Sequence, residues 1–455
     1  MAKIKNVDVL HGKLLPSILS FAVPLLLVAL IQSLFNAVDI MVLRRMADDG
    51  AVAEVGATTS IVHLLTNISI GISMGGKIVL ARLIGEGVKN RTERTVFTAV
   101  ITAFILGAIT VVIGFFCSPF FLNITNCPHD TFNGALIYLR IYFAAGPAIM
   151  IYNFGSNVLQ VSGDSQRPLY YMVASGILNV VLNFLLCLVM TEKVAAVAIA
   201  TAVSQLLGAV LVFRRILVME SECRLKLRGT QWSWRSFYQI FANGLPIGLS
   251  NSLYSLANLQ IQSALNSFGP AAIAGNTATI NLEGVASSVG AVPWGSAVGV
   301  FVGQNVGADN KKRVKHSILL TLGISAGIAL VYSLIISLFS SQVLSLFVKS
   351  KNAIEYGRIR TFYTTIPFAI VSLNTILSNS IQAFGYSIFS TVNSIFSVFV
   401  FRMIWMNYVY PLYPSFHTLM QCFLVSWMLV AVGNLLFFFY LYFFKFKKNK
   451  LKKMG

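Results

Sequence analysis

Gly50-Ala-Val-Ala-Glu-Val-Gly-Ala-Thr-Thr-Ser-Ile61 returns without a gap as Gly269-Pro-Ala-Ala-Ile-Ala-Gly-Asn-Thr-Ala-Thr-Ile280. Working outward from this pair, Pro24 matches Pro246 and Asn36 matches Asn258. Ala81-Arg-Leu-Ile-Gly85 matches Gly303-Gln-Asn-Val-Gly307, and Asn157-Val-Leu-Gln160 matches Asn379-Ser-Ile-Gln382, with Gly163 on Gly385. Four registers at nearly one offset make the chain two copies of one unit.

The unit is a membrane unit. The 455 residues are 56% hydrophobic and 11% charged, with a mean hydropathy of +0.76, whereas a soluble protein carries about 25% charged residues. Residues 96–121, 169–190 and 416–444 are apolar runs of the roughly 20 residues that span a bilayer as a helix. Runs of that length exclude an outer-membrane barrel, whose strands need about ten alternating residues. Read this way, the chain is an all-α polytopic protein with twelve transmembrane helices. They fall at 14–43, 52–83, 96–121, 132–161, 168–190 and 194–218, then at 237–268, 270–303, 315–346, 356–384, 387–410 and 416–444. Six spans per copy is an even number, so both copies share one orientation. Parallel repeats of this kind are typical of secondary transporters. The expected domains are an N-terminal lobe over 1–220, a basic cytoplasmic linker over 221–236, and a C-terminal lobe over 237–455 with a lysine-rich tail.

The net charge of +19 suggests nucleic acid, but its placement argues against that partner. About 24 of the 34 basic residues fall on one side of the spans, the positive-inside pattern of a multi-pass protein with both termini in the cytoplasm. Lys349, Lys351, Arg358 and Arg360 cluster around one outer loop, the single exception. The tail lysines set topology and attract anionic membrane lipid weakly. The five cysteines show neither CxxC nor Cys/His spacing. No GxSxG, HExxH or Walker-type loop occurs, so neither an enzyme nor a cofactor is expected. Gly71-Ile-Ser-Met-Gly-Gly76 reads as a helix face for close packing.

One acid stands inside the first span, in Ile31-Gln-Ser-Leu-Phe-Asn-Ala-Val-Asp39-Ile-Met-Val-Leu43. A charge there costs roughly 2.5–3.5 kcal/mol on insertion scales, so Asp39 either does a job or meets water at the helix end. Counting at 1.5 Å per residue puts it about 6–8 Å below the outer face, with Asn183 and Thr201 at roughly 10 Å. Asn179 lies one turn from Asn183 on the same face. A carboxylate, two amides and a hydroxyl at similar depth can cage a hard cation, or the carboxylate alone can take a proton. Ordinary interhelical hydrogen bonding is the competing reading of the neutral three.

Glu283 falls near the midplane on a stripe with Asn276, Thr279 and Ser287, and His63 holds nearly the equivalent place in the first repeat. These are candidates for a cavity, for cationic substrate or for a proton. Lys77 and Arg140 are expected to snorkel to the interface, and deeper-lying Arg402 to pair with an acid. Pro24 and Pro246 are candidate hinges, as are Pro147 and Pro367, because proline removes a backbone hydrogen bond.

Over nearly its full length the chain resembles the multidrug and toxic compound extrusion (MATE) family of cation-coupled antiporters. The resemblance rests on Leu34-Phe-Asn-Ala-Val-Asp39, Val55-Gly-Ala, Gly71-Ile-Ser-Met-Gly75, Gln160-Val-Ser-Gly-Asp164, Gly244-Leu-Pro246 and Gly303-Gln-Asn-Val-Gly-Ala308. It implies two six-helix lobes in a V around a central cavity, exporting amphipathic, often cationic, organic compounds across the plasma membrane for H⁺ or Na⁺; a monomer is expected. The DinF-like members, which this chain resembles more than the NorM-like ones, imply a coupling site at Asp39, Asn179, Asn183 and Thr201. Asn183 replaces a second acid of that pattern, which weakens the case for tight Na⁺ at Asp39. Ser250 stands where NorM-like members carry an acid. A lipid-linked saccharide flippase and a non-transport membrane protein are the rival expectations.

Overall fold

The computed structural model describes residues 6–46, 49–125 and 127–441, without the side chains of 33, 34, 36–46, 49, 50, 52, 53 and 65. All regular structure among the described residues is helical. The first repeat forms α1 (Leu14–Met46), α2 (Asp49–Glu86), α3 (Lys89–Ile124), α4 (His129–Ala144), α5 (Gly146–Val161), α6 (Gln166–Val189) and α7 (Lys193–Val218). The second forms α8 (Trp234–Asn266), α9 (Pro270–Gly290), α10 (Val292–Gly307), α11 (Lys311–Ser345), α12 (Lys351–Thr364) and α13 (Phe368–Ala383). It ends in α14 (Ser387–Ser394), α15 (Phe401–Ile404) and α16 (Phe416–Tyr440). Wide π-turns over Ile395–Val400 and Trp405–Val409 flank α15.

Nine of the described helices are long and apolar enough to cross a membrane, or eleven with each bent pair counted as one span. The remaining expected span, 237–268, is α8. Its 33 residues reach about 50 Å at 1.5 Å per residue, but Asn251, Asn258, Gln260 and Gln262 leave it too polar to qualify by composition alone. The burial pattern agrees with lipid as solvent. Along α3, Thr95, Ala99, Thr102 and Ala103 are buried, while Phe116 is 73% exposed.

Proline decides where spans break. α4 and α5 meet at 45° across Ala145, with Pro147 in the first turn of α5, and α12 and α13 meet at 42° just before Phe368, with Pro367 capping α13. Pro293 opens α10 after a break at Ala291, where the equivalent α2 runs on unbroken. By contrast, α1 and α8 continue through Pro24 and Pro246.

The chain forms two compact units, residues 1–12 with 23–248, and residues 13–22 with 249–455. The start of α1 therefore belongs to the second unit, where Phe21 meets the Phe301 ring edge-on at 5.8 Å. The start of α8 belongs to the first, and glycine makes that contact. A Cβ on Gly71 would strike the backbone of Gly248, and one on Gly75 the carbonyl of Ile240. The glycine face read from the sequence is thus a backbone-to-backbone seam between α2 and α8, the small-residue packing that membrane helices use.

The linker after α7 folds back onto the first unit. Leu225 N donates to Ile216 O at 3.0 Å, Lys226 Nζ meets Glu93 at 2.7 Å, and Thr95 shares a hydrogen with Ser236 at 2.8 Å. Cys223 is buried in this turn.

Candidate functional site

In the first unit, α6 and α7 pack side by side and bring three of the expected residues together. Asn183 Nδ2 donates to Asn179 Oδ1 at 3.2 Å, and Asn179 Nδ2 reaches Thr201 Oγ1 at 3.5 Å. Thr201 in turn donates to the carbonyl of Val197 at 3.0 Å. Asn183 is fully buried and Asn179 nearly so. The spacing of four residues puts the two amides one above the other on α6, and the result is a neutral polar ladder in an apolar helix pair.

Asp39 lies in α1, and its side chain is outside the described residues, as is that of Asn36. One turn earlier in α1, the Phe35 ring fills the space that a side chain at Gly176 of α6 would occupy. The contact brings α1 against α6 three residues before Asn179.

Lys77 does not snorkel. Buried to 8% exposure, its Nζ donates to Gln160 Oε1 at 2.7 Å, and the neighbouring Asn157 donates to Ser73 at 3.1 Å. Packing between α2 and α5 buries the amine, and an amide carbonyl helps to solvate it. Arg140 is exposed and lies over the Phe115 ring at 4.9 Å. His63 is exposed on α2.

The second unit holds a charge cluster that the sequence only half revealed. Arg360 on α12 grips Glu283 on α9 with two hydrogen bonds, Nε to Oε1 at 2.8 Å and Nη2 to Oε2 at 3.0 Å. Thr364 donates to the same carboxylate at 2.6 Å, and Arg360 also donates to Asn276. Close approach of the helices makes this reach possible. A Cβ on Gly275 would strike the carbonyl of Ala353, and Thr279 donates across to Gly357 O at 3.1 Å. Glu283 and Asn276 therefore share a site, but the carboxylate arrives with its own counter-charge. Arg360, counted above with the outer loop, is a buried partner in this cluster, which removes one residue from the exception to the positive-inside pattern. The signal was available in the spacing: Arg360 and Thr364 are one turn apart on α12, and a midplane acid requires a partner.

Arg402 has no acid. Fully buried, it donates from Nε and Nη2 to Ser426 Oγ at 3.1 and 3.0 Å and from Nη1 to Asn258 at 2.6 Å. Its guanidinium lies 4.4 Å from the Phe423 ring centre and 5.0 Å from that of Tyr254. Arg360 faces Phe423 too, at 4.9 Å. Aromatic faces and neutral acceptors take the place of the expected carboxylate, and no carboxylate pairs with Arg402 among the described residues. Two arginines and one glutamate leave this cluster one positive charge in excess. No group of three or more His, Cys, Asp or Glu side chains that could hold a metal forms among the described residues.

The same architecture recurs in known proteins. A crystal structure of MATE in complex with MaL6 superposes with a TM-score of 0.87 at 21% identity, covering 96% of this chain and 98% of that one. The "Probable multidrug resistance protein YoeA" of Bacillus subtilis is 26% identical over 83% of each chain. The "FAD transporter" of Shewanella oneidensis is 25% identical over 71% of this chain and 72% of its own. The MatE family model matches twice, over residues 24–185 and 246–409, once for each repeat. This multi-pass chain, made of two matched helical repeats, belongs to the MatE family of multidrug efflux transporters.

Proposed function

We propose that this chain is a proton-coupled antiporter that exports amphipathic small molecules by alternating access, with Asp39 as the group that takes up the proton. The observation that carries the reading is the ladder of half-buried Thr201 and buried Asn179 and Asn183, built from neutral groups, with α1 packed against α6 at Phe35, one turn before Asp39. A lone carboxylate inside a span needs a proton or a cation to offset its charge, which suits uptake on the outer side and release inside. Sodium is the less favoured ion, because a site with one carboxylate and neutral amides offers a single negative charge. Glu283 is the poorer candidate, since Arg360 and Thr364 already occupy its carboxylate oxygens.

Pro24 and Pro246 suit the conformational step. Pro24 lies two residues beyond Ala22, where α1 passes from one unit to the other, and Pro246 lies two residues before the matching passage in α8. Each helix lacks one backbone hydrogen bond at that point. Efflux of ethidium from cells expressing the protein tests the assignment. Asp39→Asn abolishes export at wild-type expression, whereas wild-type export by that variant removes Asp39 from the mechanism.

A second reading concerns the cargo. The excess positive charge of the Arg360, Arg402 and Glu283 cluster favours compounds that carry an anionic group, and one relative is named for a dinucleotide. Competition of FAD against ethidium for export separates the two cargo classes.

A further inference from the structure

We infer that the cleft between the start of α11 and the end of α16 is a binding site for an anionic phospholipid. The cleft has a volume of about 230 Å³ and apolar walls that include Ile318, Phe384, Phe438 and Leu441, with Lys311 and Lys315 beside them. Apolar walls suit an acyl chain and the lysines a phosphate, and a basic pocket between helices on the cytoplasmic side is a recognised form of headgroup site.

The repeat shows what this corner normally contains. α3 and α11 are equivalent, each preceded by a residue in the left-handed region, Gly87 at φ +69° and Asp309 at φ +53°. Lys89 corresponds to Lys311, Glu93 to Lys315 and Thr95 to Ser317, and the ends of α7 and α16, Val218 and Tyr440, correspond at the same offset. In the first unit the chain after α7 covers the corner, and its Lys226 pairs with Glu93 at 2.7 Å while Ser236 satisfies Thr95. In the second unit the acid is replaced by Lys315, and the buried Ser317 hydroxyl has no hydrogen-bond partner. The chain after α16 has Lys448 in the place of Lys226, and residues 442–455 carry six lysines and no acid. At this register Lys315 and Lys448 stand where the first repeat has the attracting pair Glu93 and Lys226. An anion with an apolar body complements the two lysines and the apolar walls of the cleft.

The test uses the full-length protein in detergent, titrated separately with phosphatidylglycerol and phosphatidylcholine and read by native mass spectrometry. One phosphatidylglycerol is retained in preference to phosphatidylcholine. Lys311→Gln and Lys315→Gln each weaken retention about five-fold. Lys315→Arg preserves it, and Lys315→Glu, which restores the acid of the first repeat, abolishes it. Equal retention of the two lipids, unchanged retention by the double glutamine variant, or displacement by inorganic phosphate overturns the inference. So does a disulfide between Lys315→Cys and Lys448→Cys that forms equally with and without lipid, because the tail then fills the cleft.

Discussion

Glu283 illustrates what a single buried charge requires. The sequence expects an acid near the midplane, and the structure supplies a bidentate arginine and a hydroxyl around it, with an aromatic face behind the arginine. Removing one partner strands the other, at a cost of about 3–5 kcal/mol. Thermal unfolding in detergent is therefore expected to show Arg360→Met as strongly destabilised, with Glu283→Gln added to it recovering part of the loss. Arg360→Lys also destabilises, because an ammonium cannot reproduce the two-pronged geometry. At the ladder, Asn183→Asp adds the acid that the resemblance expects and this chain lacks. Transport by that variant gains a dependence on Na⁺, measured as uptake driven by an imposed Na⁺ gradient; continued indifference to Na⁺ argues against a cage there. The sequence showed which residues inside the spans were polar. It did not show that Arg360 points inward from α12 or that Arg402 is held by aromatic faces, because each follows from how closely neighbouring helices pack.

Among elements, the helices themselves were legible because a membrane span is written in composition, and α8 was legible by its place in the repeat although it is too polar to qualify alone. The proline signal was legible as well, but its consequence was not. Pro147 and Pro367 coincide with bends of 45° and 42°, whereas Pro24 and Pro246 lie inside continuous helices. A missing donor permits a bend without forcing one, and packing decides. Packing also gives the α2–α8 seam its sensitivity. Gly75→Val places a branched side chain against the Ile240 carbonyl, and overpacking of this kind costs about 1–3 kcal/mol. Lower yield and a lower melting temperature than those of Gly56→Val are expected, since a Cβ at Gly56 meets nothing within 4 Å.

At the scale of the molecule, the repeat was the strongest statement in the sequence, and the family model finds it independently in each half. The asymmetries between the halves carry the specific chemistry. The neutral ladder belongs to the first unit and the arginine cluster to the second, and the linker after α7 covers the corner at Glu93 and Thr95 in the first. Burial at the docked linker pushes the Cys223 thiol up from its ordinary 9.0 to about 12. Because the folded value lies above the unfolded one, the stability it contributes is present below pH about 9 and fades as pH climbs toward 12. Maleimide labelling of Cys223 at pH 8 is expected to be slow in the native protein and fast once Glu93→Lys displaces Lys226. The proton assignment admits the most direct test. In proteoliposomes, an imposed pH gradient without Na⁺ drives substrate transport by the wild-type protein, and Asp39→Asn abolishes that drive while leaving gradient-free substrate exchange. Transport that follows a Na⁺ gradient instead, or a pH-driven flux that survives in Asp39→Asn, contradicts the account.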